Sequence, residues 1–197
     1  MIIQETDISY DTTELCEIMS KHGSDKSSCV HNYTLIYSEL FKNIKASANH
    51  FFELGIGTIN SGASLRGWKE YFTSANIYGA DILDEVLFTE HRIQTYQCDQ
   101  LDKKSISKLW YKFKDVEFDV ILEDGLHTYE ANIHFFENSF FKVKKGGYYI
   151  IEDIVEKYTF LYEEYFENCK NQFEEYQILK LDNDINPNDN VLVIIKK

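Results

Sequence analysis

The amino-acid sequence predicts an α/β fold in which helices cover both faces of a doubly wound, mainly parallel sheet. Two observations carry this prediction. Short apolar runs alternate along the chain with segments of helical periodicity, which is the pattern of parallel strands joined by crossover helices. Several of these runs are apolar throughout rather than at every second residue, as expected for strands that are covered on both faces.

Seven apolar runs bounded by turn residues are the predicted strands. They span residues 50–56, 76–82, 93–99, 118–124, 147–154, 175–181 and 190–197. The last two runs are separated only by the turn-rich segment DNDINPND, which is too short for a crossover helix. We therefore expect a seven-stranded sheet with a terminal antiparallel hairpin strand.

Segments with helical spacing connect the strands. Residues 61–72 show the pattern most clearly. Leu65, Trp68 and Phe72 fall on one face of the helix predicted there. Comparable segments span residues 104–113, 130–141 and 159–169.

The N-terminal part of the chain differs from the rest. Residues 34–44 form its clearest amphipathic segment, and the remainder is helical or irregular. No repeat, linker or change in composition divides the 197 residues. We expect a single domain, with residues 1–48 as an N-terminal helical cap and residues 49–197 as the core.

The composition disfavours several classes of protein. A formal net charge of −13 argues against binding to nucleic acid, which depends on clustered Lys and Arg. The apolar runs are too short to cross a bilayer, and the N-terminus lacks the features of a signal peptide. Four widely spaced cysteines form no CxxC pair, which argues against a thiolate metal site. We expect a cytoplasmic protein that acts on a small molecule.

A glycine-containing loop follows the first predicted strand. Gly55 and Gly57 allow the backbone to approach a ligand closely, and a helix that begins near Ser61 offers free amides. The spacing does not match the GxGxxG pattern of dinucleotide sites. Glu53 would repel a pyrophosphate but suits a cationic group, such as the amino group of a methionine moiety. The alternative is a tight strand–helix turn in which Glu53 caps amides.

Acidic residues also end the next two predicted strands. Asp81 is placed to accept hydrogen bonds from ribose hydroxyls, and Asp99 from an adenine amino group. Each residue alone also fits an ordinary surface turn. Combined with the glycine loop, they indicate S-adenosylmethionine rather than NAD. The candidate cofactor-binding residues are Glu53, Gly55, Gly57, Ser64, Asp81, Asp99 and Gln100.

A second cluster of polar residues ends two other strands. The stretch FDVILEDGLH contains Asp124 and, one turn later, His127, and GGYYIIEDI contains Glu152 and Asp153. Three carboxylates on adjacent strand ends repel one another unless a cation lies between them. Oxygen ligands suit Mg²⁺, Mn²⁺ or Ca²⁺ better than zinc. The alternatives are a helix start and an exposed turn, and Glu123 has no assigned role.

These motifs together resemble the metal-dependent sugar O-methyltransferases, class I S-adenosylmethionine enzymes that include the mycinamicin and macrocin methyltransferases. The resemblance covers residues 23–154. It rests on SDK, HNYT, FFELGIG, GASLRGWKEYF, IYGADI, YQCDQ, FDVILEDGLH and KKGGYYIIEDI. The last two motifs are the most specific.

The resemblance implies a Rossmann-like sheet, S-adenosylmethionine as cofactor and a divalent metal, Mg²⁺ or Mn²⁺. It implies Asp124, Glu152 and Asp153 as metal ligands and His127 as the general base. An N-terminal segment that closes over the cofactor adds the candidates Lys26, Tyr33 and Thr34.

The expected reaction is methylation of a sugar hydroxyl, either on a nucleotide-linked sugar for a surface polysaccharide or on a glycoside. The metal would lower the pKa of the hydroxyl, and His127 would accept its proton. A metal-independent methyltransferase acting on a small molecule, a non-catalytic S-adenosylmethionine-binding protein and a nicotinamide-dependent oxidoreductase are the alternatives. The sequence does not give the oligomeric state, and a homo-oligomer is compatible with it.

Overall fold

The computed structural model describes residues 2–3, 12–181 and 189–197. Part of the predicted N-terminal cap and most of the predicted turn DNDINPND lie outside the described residues. The division of the chain into a cap and a core at residue 48 stays a prediction.

Within the described residues, eight strands form one mixed sheet. They are β1 (His50–Leu54), β2 (Asn76–Asp81), β3 (Thr89–Glu90), β4 (Ile93–Gln97), β5 (Phe118–Glu123), β6 (Val143–Ile154), β7 (Glu175–Lys180) and β8 (Val191–Lys196). Their order across the sheet is β3-β4-β2-β1-β5-β6-β8-β7. The five strands from β4 to β6 in this order run parallel, and β3, β8 and β7 pair antiparallel with their neighbours. The predicted α/β class is confirmed, and the two-residue β3 is the strand that was not predicted.

Six α-helices accompany the sheet in the described part of the chain. They are α1 (Glu14–His22), α2 (Tyr33–Phe41), α3 (Ala63–Tyr71), α4 (Lys103–Lys112), α5 (Tyr129–Ser139) and α6 (Thr159–Asn168). Polar caps start three of them, because the side chains of Thr13, Asp102 and Thr128 accept backbone amides of the first turn. No helix among the described residues is both long and apolar enough to span a membrane.

Alternate residues of the central strands pack into two separate cores. Phe51 packs on Trp68 of α3, with ring centroids 4.8 Å apart, on the face that α1, α2 and α3 cover. Phe52, the next residue of β1, packs on Trp110 of α4 at 4.9 Å, on the face covered by α4, α5 and α6. The continuous apolar runs are therefore explained by burial of both faces.

The strand order reverses between β1 and β5. The chain proceeds from β1 to β2 and β4 on one side of this point, and to β6 on the other. The two strand ends are joined directly, since the amide of Asp124 donates to the carbonyl of Leu54 at 2.9 Å. In doubly wound sheets a crevice forms at such a reversal and binds ligands.

Gly55 lies at this reversal, and its conformation excludes a side chain. A methyl group on Gly55, which has a φ of +92°, would lie 1.8 Å from the Asp124 carbonyl oxygen. Gly57 has a φ of +71° but has open space at the same position. A substitution at Gly57 would therefore cause backbone strain alone, whereas a substitution at Gly55 would cause both backbone strain and a steric clash.

Gly57→Ala is expected to lower the free energy of unfolding by about 1–2 kcal/mol, because a left-handed backbone is unfavourable for a residue with a Cβ. Gly55→Ala is expected to lose a further 1–3 kcal/mol, roughly, because its methyl group forces the ends of β1 and β5 apart. Urea denaturation of both variants measures the difference. Equal losses would show that the close approach at Gly55 is unimportant.

Candidate active site

A cavity of about 520 Å³ opens at the carboxyl ends of the parallel strands, where their order reverses. The glycine loop after β1, the ends of β2 and β4, the loop after β5 and residues 23–26 line it. Its size is that of a small-molecule site. The cavity brings together most of the candidate residues from the two clusters in the sequence.

Asp81 shapes the glycine loop. Its Oδ2 accepts the amides of Ile56 (2.8 Å) and Gly57 (3.2 Å), and its Oδ1 accepts the amide of Leu83 at 3.0 Å. Asp81 also lines the cavity, as do Gly55 and Gly57. The Asp81 carboxylate, which was predicted to contact ribose, is therefore held in place by the amides of the glycine loop.

Glu53, in β1, is fully buried and is hydrogen-bonded by the helix that follows the glycine loop. Its two oxygens accept hydrogen bonds from Ser64 Oγ (2.8 Å) and Trp68 Nε1 (2.9 Å), both from α3. Burial raises the pKa of Glu53 to about 7, against the opposing effect of the Lys26 ammonium 3.5 Å away. Glu53 and Ser64 thus line the cavity as one bonded pair.

Asp99 and Gln100 form the cavity wall after β4. Asp99 Oδ1 accepts the amide of Leu101 at 2.8 Å. The Gln100 side chain bonds in two directions. Its Oε1 accepts the amide of Leu126 at 2.9 Å, and its Nε2 donates to Glu123 Oε1 at 2.6 Å.

Lys26 places a buried positive charge in the wall of the cavity. Its ammonium contacts the carboxylate of Asp124, donates to Glu152 Oε2 at 2.5 Å and lies 3.5 Å from Glu53 Oε1. Burial alone would lower the pKa of Lys26, but Asp124, Glu152 and Glu53 raise it well above its usual value. Lys26 lines the cavity, as expected, but as the counter-ion of three acids.

Asp124, His127 and Asp153 form a cluster that faces the cavity. His127 Nε2 lies 3.9 Å from Asp124 Oδ1 and 3.9 Å from Asp153 Oδ2. One ligand atom from each of the three residues lies within 4.8 Å of the others, a separation suited to a metal ion. His127 and Asp153 have φ values of +57° and +56°. Such strained backbone in non-glycine residues is concentrated at functional sites.

Glu152 is oriented away from this cluster. Its Oε1 accepts a hydrogen bond from Tyr37 Oη at 2.5 Å, and its Oε2 accepts one from Lys26 at 2.5 Å. The side chain is 1% exposed and does not line the cavity. The predicted ligands Asp124 and Asp153 are brought together, whereas ligation by Glu152 would require Lys26 to move. That part of the predicted metal site stays a prediction.

Tyr33 and Thr34 lie behind the cavity rather than in its wall. Tyr33 Oη donates to Asp153 Oδ1 at 2.6 Å, and Thr34 is completely buried. The reason is that this face of α2 is buried, with Tyr33 and Tyr37 in the core on that side of the sheet. Both residues were predicted to bind the cofactor, and neither lines the cavity in the structure.

Two further residues behind the cavity, Tyr37 and His31, were not identified from the sequence. Tyr37 bonds Glu152, and the His31 ring stacks on Tyr33 with its Nδ1 3.6 Å from Asp153 Oδ1. The sequence could have indicated Tyr37, because it lies four residues after the candidate Tyr33 and thus shares one helix face with it. Polar hydroxyls on an otherwise apolar, buried face need partners.

Comparisons with known proteins point to one kind of enzyme. The chain is 32% identical over 152 residues to 8-demethyl-8-alpha-L-rhamnosyl tetracenomycin-C 2'-O-methyltransferase from Streptomyces olivaceus, which covers 75% of this chain and 39% of that protein. It is 32% identical over 145 residues to mycinamicin VI 2''-O-methyltransferase from Micromonospora griseorubida, which covers 72% of this chain and 36% of that protein. No protein-family model matches.

A solved structure shares the fold. The MycE methyltransferase from the mycinamycin biosynthetic pathway, in complex with Mg and SAH, superposes with a TM-score of 0.75 and 25% identity over 94% of this chain and 55% of that chain. The resemblance found in the sequence is confirmed. The chain spans less than two fifths of the length of the two relatives named above.

Lys26→Met is expected to lower the free energy of unfolding by about 3–5 kcal/mol, because it leaves buried carboxylates without their counter-ion. Lys21→Met is the control, since Lys21 is exposed and pairs with Glu70 at the surface. That change is expected to stay within about 1 kcal/mol. Both are measured by urea denaturation in buffer without divalent metal. Similar losses in the two variants would contradict the role given to Lys26.

Proposed function

Because the chain is a relative of the sugar O-methyltransferases over about three quarters of its length, we propose that it transfers a methyl group from S-adenosylmethionine to a sugar hydroxyl. One observation carries the proposal. A single cavity is lined both by the glycine loop and by Asp124, His127 and Asp153. Methyl transfer requires donor and acceptor to meet in line within one such space.

The donor would occupy the part of the cavity between the glycine loop and Asp99. Asp81 and Asp99 would take the ribose and the adenine, since a carboxylate oxygen accepts more than one hydrogen bond. Glu53 would face the methionine moiety. The MycE complex with SAH, the demethylated product of this cofactor, supports this choice of ligand.

The second part of the proposal is a divalent metal, Mg²⁺ or Mn²⁺. Carboxylate oxygens suit these ions, and the residues present fit one, because Asp124 Oδ1 and Asp153 Oδ2 both face His127. Asp124 and Asp153 would hold the metal, and Glu152 would join them if Lys26 withdrew. When bound, the metal would lower the pKa of the sugar hydroxyl. The Mg in the MycE structure supports this part.

His127 is the proposed general base. Its side chain is 39% exposed, and Nε2 points between two carboxylates at distances longer than a hydrogen bond. That nitrogen can therefore take a proton from the acceptor hydroxyl. The carboxylates of Asp124 and Asp153 would then stabilise the imidazolium that forms.

We place the acceptor among glycosides rather than nucleotide-linked sugars. The relative from Streptomyces olivaceus is named for a rhamnosyl tetracenomycin, in which the sugar is attached to another molecule. Among the described residues that line the cavity, Lys26 is the single Lys or Arg, and three carboxylates already engage it. A nucleotide diphosphate would find little compensating charge there.

The test of the donor and acceptor is methyl transfer from S-adenosylmethionine to a panel of glycosides and nucleotide-linked sugars, followed by mass spectrometry. We expect mass gains of one methyl group on rhamnosylated glycosides. SAH at a concentration 100 times its Kd is expected to stabilise the protein by about 2.7 kcal/mol, and NAD is not. Methylation restricted to nucleotide-linked sugars would overturn the acceptor class, and stabilisation by NAD alone would overturn the proposed function.

Removal of the metal with EDTA is expected to abolish methyl transfer, and added Mg²⁺ is expected to restore it. His127→Ala is expected to lower kcat by about 10²–10⁴-fold through loss of the base. Calorimetry should show that His127→Ala keeps its affinity for Mg²⁺ and that Asp153→Asn loses it.

His22→Ala serves as the control for His127→Ala, because His22 pairs with Glu70 outside the cavity. Full activity after chelation would exclude the metal from the reaction. Loss of Mg²⁺ binding in His127→Ala would make His127 a ligand instead of the base.

A further inference from the structure

A buried acid next to the cluster is not used by the proposed reaction. Glu123 is the last residue of β5 and is 1% exposed. Successive strand residues face opposite sides of the sheet, so Glu123 points to the α5 side, away from the Lys26 group. Turned so that its oxygen accepts from Tyr162 Oη, the Asn132 amide of α5 also donates to Glu123 Oε2 at 3.1 Å.

The other oxygen of Glu123 reaches two loops. Glu123 Oε1 accepts Gln100 Nε2 at 2.6 Å, and it accepts the amide of Gly125 at 3.2 Å. Gln100 Oε1 in turn accepts the amide of Leu126 at 2.9 Å. Two consecutive amides of the loop that carries Asp124 and His127 are thus held by Glu123 and by Gln100.

The loop lies directly on the Gln100 side chain. A methyl group on Gly125 would lie 2.2 Å from Gln100 Oε1, so any side chain at this position would have to displace the Gln100 amide. His134 Nδ1, at 2.8 Å from the Gln100 carbonyl oxygen, ties the backbone of Gln100 to α5. Gln100 is therefore fixed on one side and supports the loop on the other.

The direction of the Gln100 amide depends on Glu123. The two ends of an amide group have nearly the same shape but opposite hydrogen-bonding roles. An acceptor at Glu123 Oε1 selects the orientation in which Nε2 faces Glu123 and Oε1 faces the Leu126 amide. Without that acceptor the amide can rotate, and a donor would then face the donor of Leu126.

We propose that Glu123 is a positioning residue that, through Gln100, fixes the loop carrying Asp124 and His127 to the loop that receives the adenine of the cofactor. Gln100 and its neighbours Asp99 and Leu101 line the cavity together with Leu126. Cofactor binding and placement of the base are consequently coupled. The cofactor side of this inference rests on the proposed function, and the hydrogen-bond network does not.

The test compares Glu123→Met with Glu123→Gln. Met removes the acceptor, whereas Gln keeps an oxygen toward Gln100 and Gly125 and can donate its amide to Asn132 Oδ1 once the Asn132 side chain turns to donate to Tyr162 Oη. Glu123→Met is expected to speed hydrogen exchange of the Gly125 and Leu126 amides and to raise the Kd for SAH, each by about 10-fold or more. Glu123→Gln is expected to stay within about 3-fold of the wild type in both, as a retained hydrogen bond requires.

Asp119→Asn is the matched control, because Asp119 is a buried acid at the opposite end of β5 that accepts the amides of Asn49 and His50. It is expected to lower stability while leaving SAH affinity and the two exchange rates unchanged. If Glu123→Met folds and both readouts stay within about 2-fold of the wild type, a lost buried hydrogen bond is excluded and the proposal is overturned.

Should Glu123→Met fail to fold, Gln100→Met carries the test, since it removes the bridge and leaves Glu123 in place. Faster exchange of the Leu126 amide supports the proposal, and unchanged exchange overturns it. Neither readout needs an acceptor or a metal. A wild-type protein that does not bind SAH would sink the proposed function, while the exchange rates would still decide whether Glu123 positions the loop.

Discussion

The contact of the buried Lys26 ammonium with three carboxylates is the interaction on which the active site depends. Glu53, Asp124 and Glu152 come from the ends of three adjacent strands, where like charges would repel one another. Lys26 comes from the loop between α1 and α2. Because the counter-ion belongs to the N-terminal region and the acids to the sheet, docking of the helices and assembly of the site are one event.

Hydrogen bonds from the same N-terminal region occupy some of the carboxylate oxygens and leave others available to a cation. Glu152 uses both oxygens on Lys26 and Tyr37, and Asp153 uses one on Tyr33. The remaining oxygens, on Asp124 and Asp153, are those that face His127. A cation entering the cavity would therefore meet two negative oxygens and an imidazole whose positions the chain has set beforehand, which lowers the free energy needed to organise them.

The element order and the acidic strand ends were predictable, because apolar runs mark buried strands and ligands gather where parallel strands end. β3 was not, since two residues show no periodicity. The contacts of Lys26 and Tyr37 with Glu152 join residues 126 and 115 positions apart, which local pattern does not encode. The positive φ values of His127 and Asp153 are also tertiary in origin, because neither position carries glycine. Simple strand alternation would place Glu152 and Asp153 on opposite sides, but a register shift at the end of β6 brings both to the tyrosines of α2.

Glu123 and Asp124 show how alternation assigns opposite tasks to adjacent acids. Asp124 meets Lys26 on the side of α1 and α2, where its charge is balanced and it can serve a cation. Glu123 meets neutral donors on the side of α5, and burial raises its pKa to about 8. Burial away from any cation disfavours the ionised form that a metal ligand needs, so Glu123 serves as a hydrogen-bond anchor instead. The loop from Asp124 to His127 is thus held from both layers of the fold, by charge on one side and by amide geometry on the other.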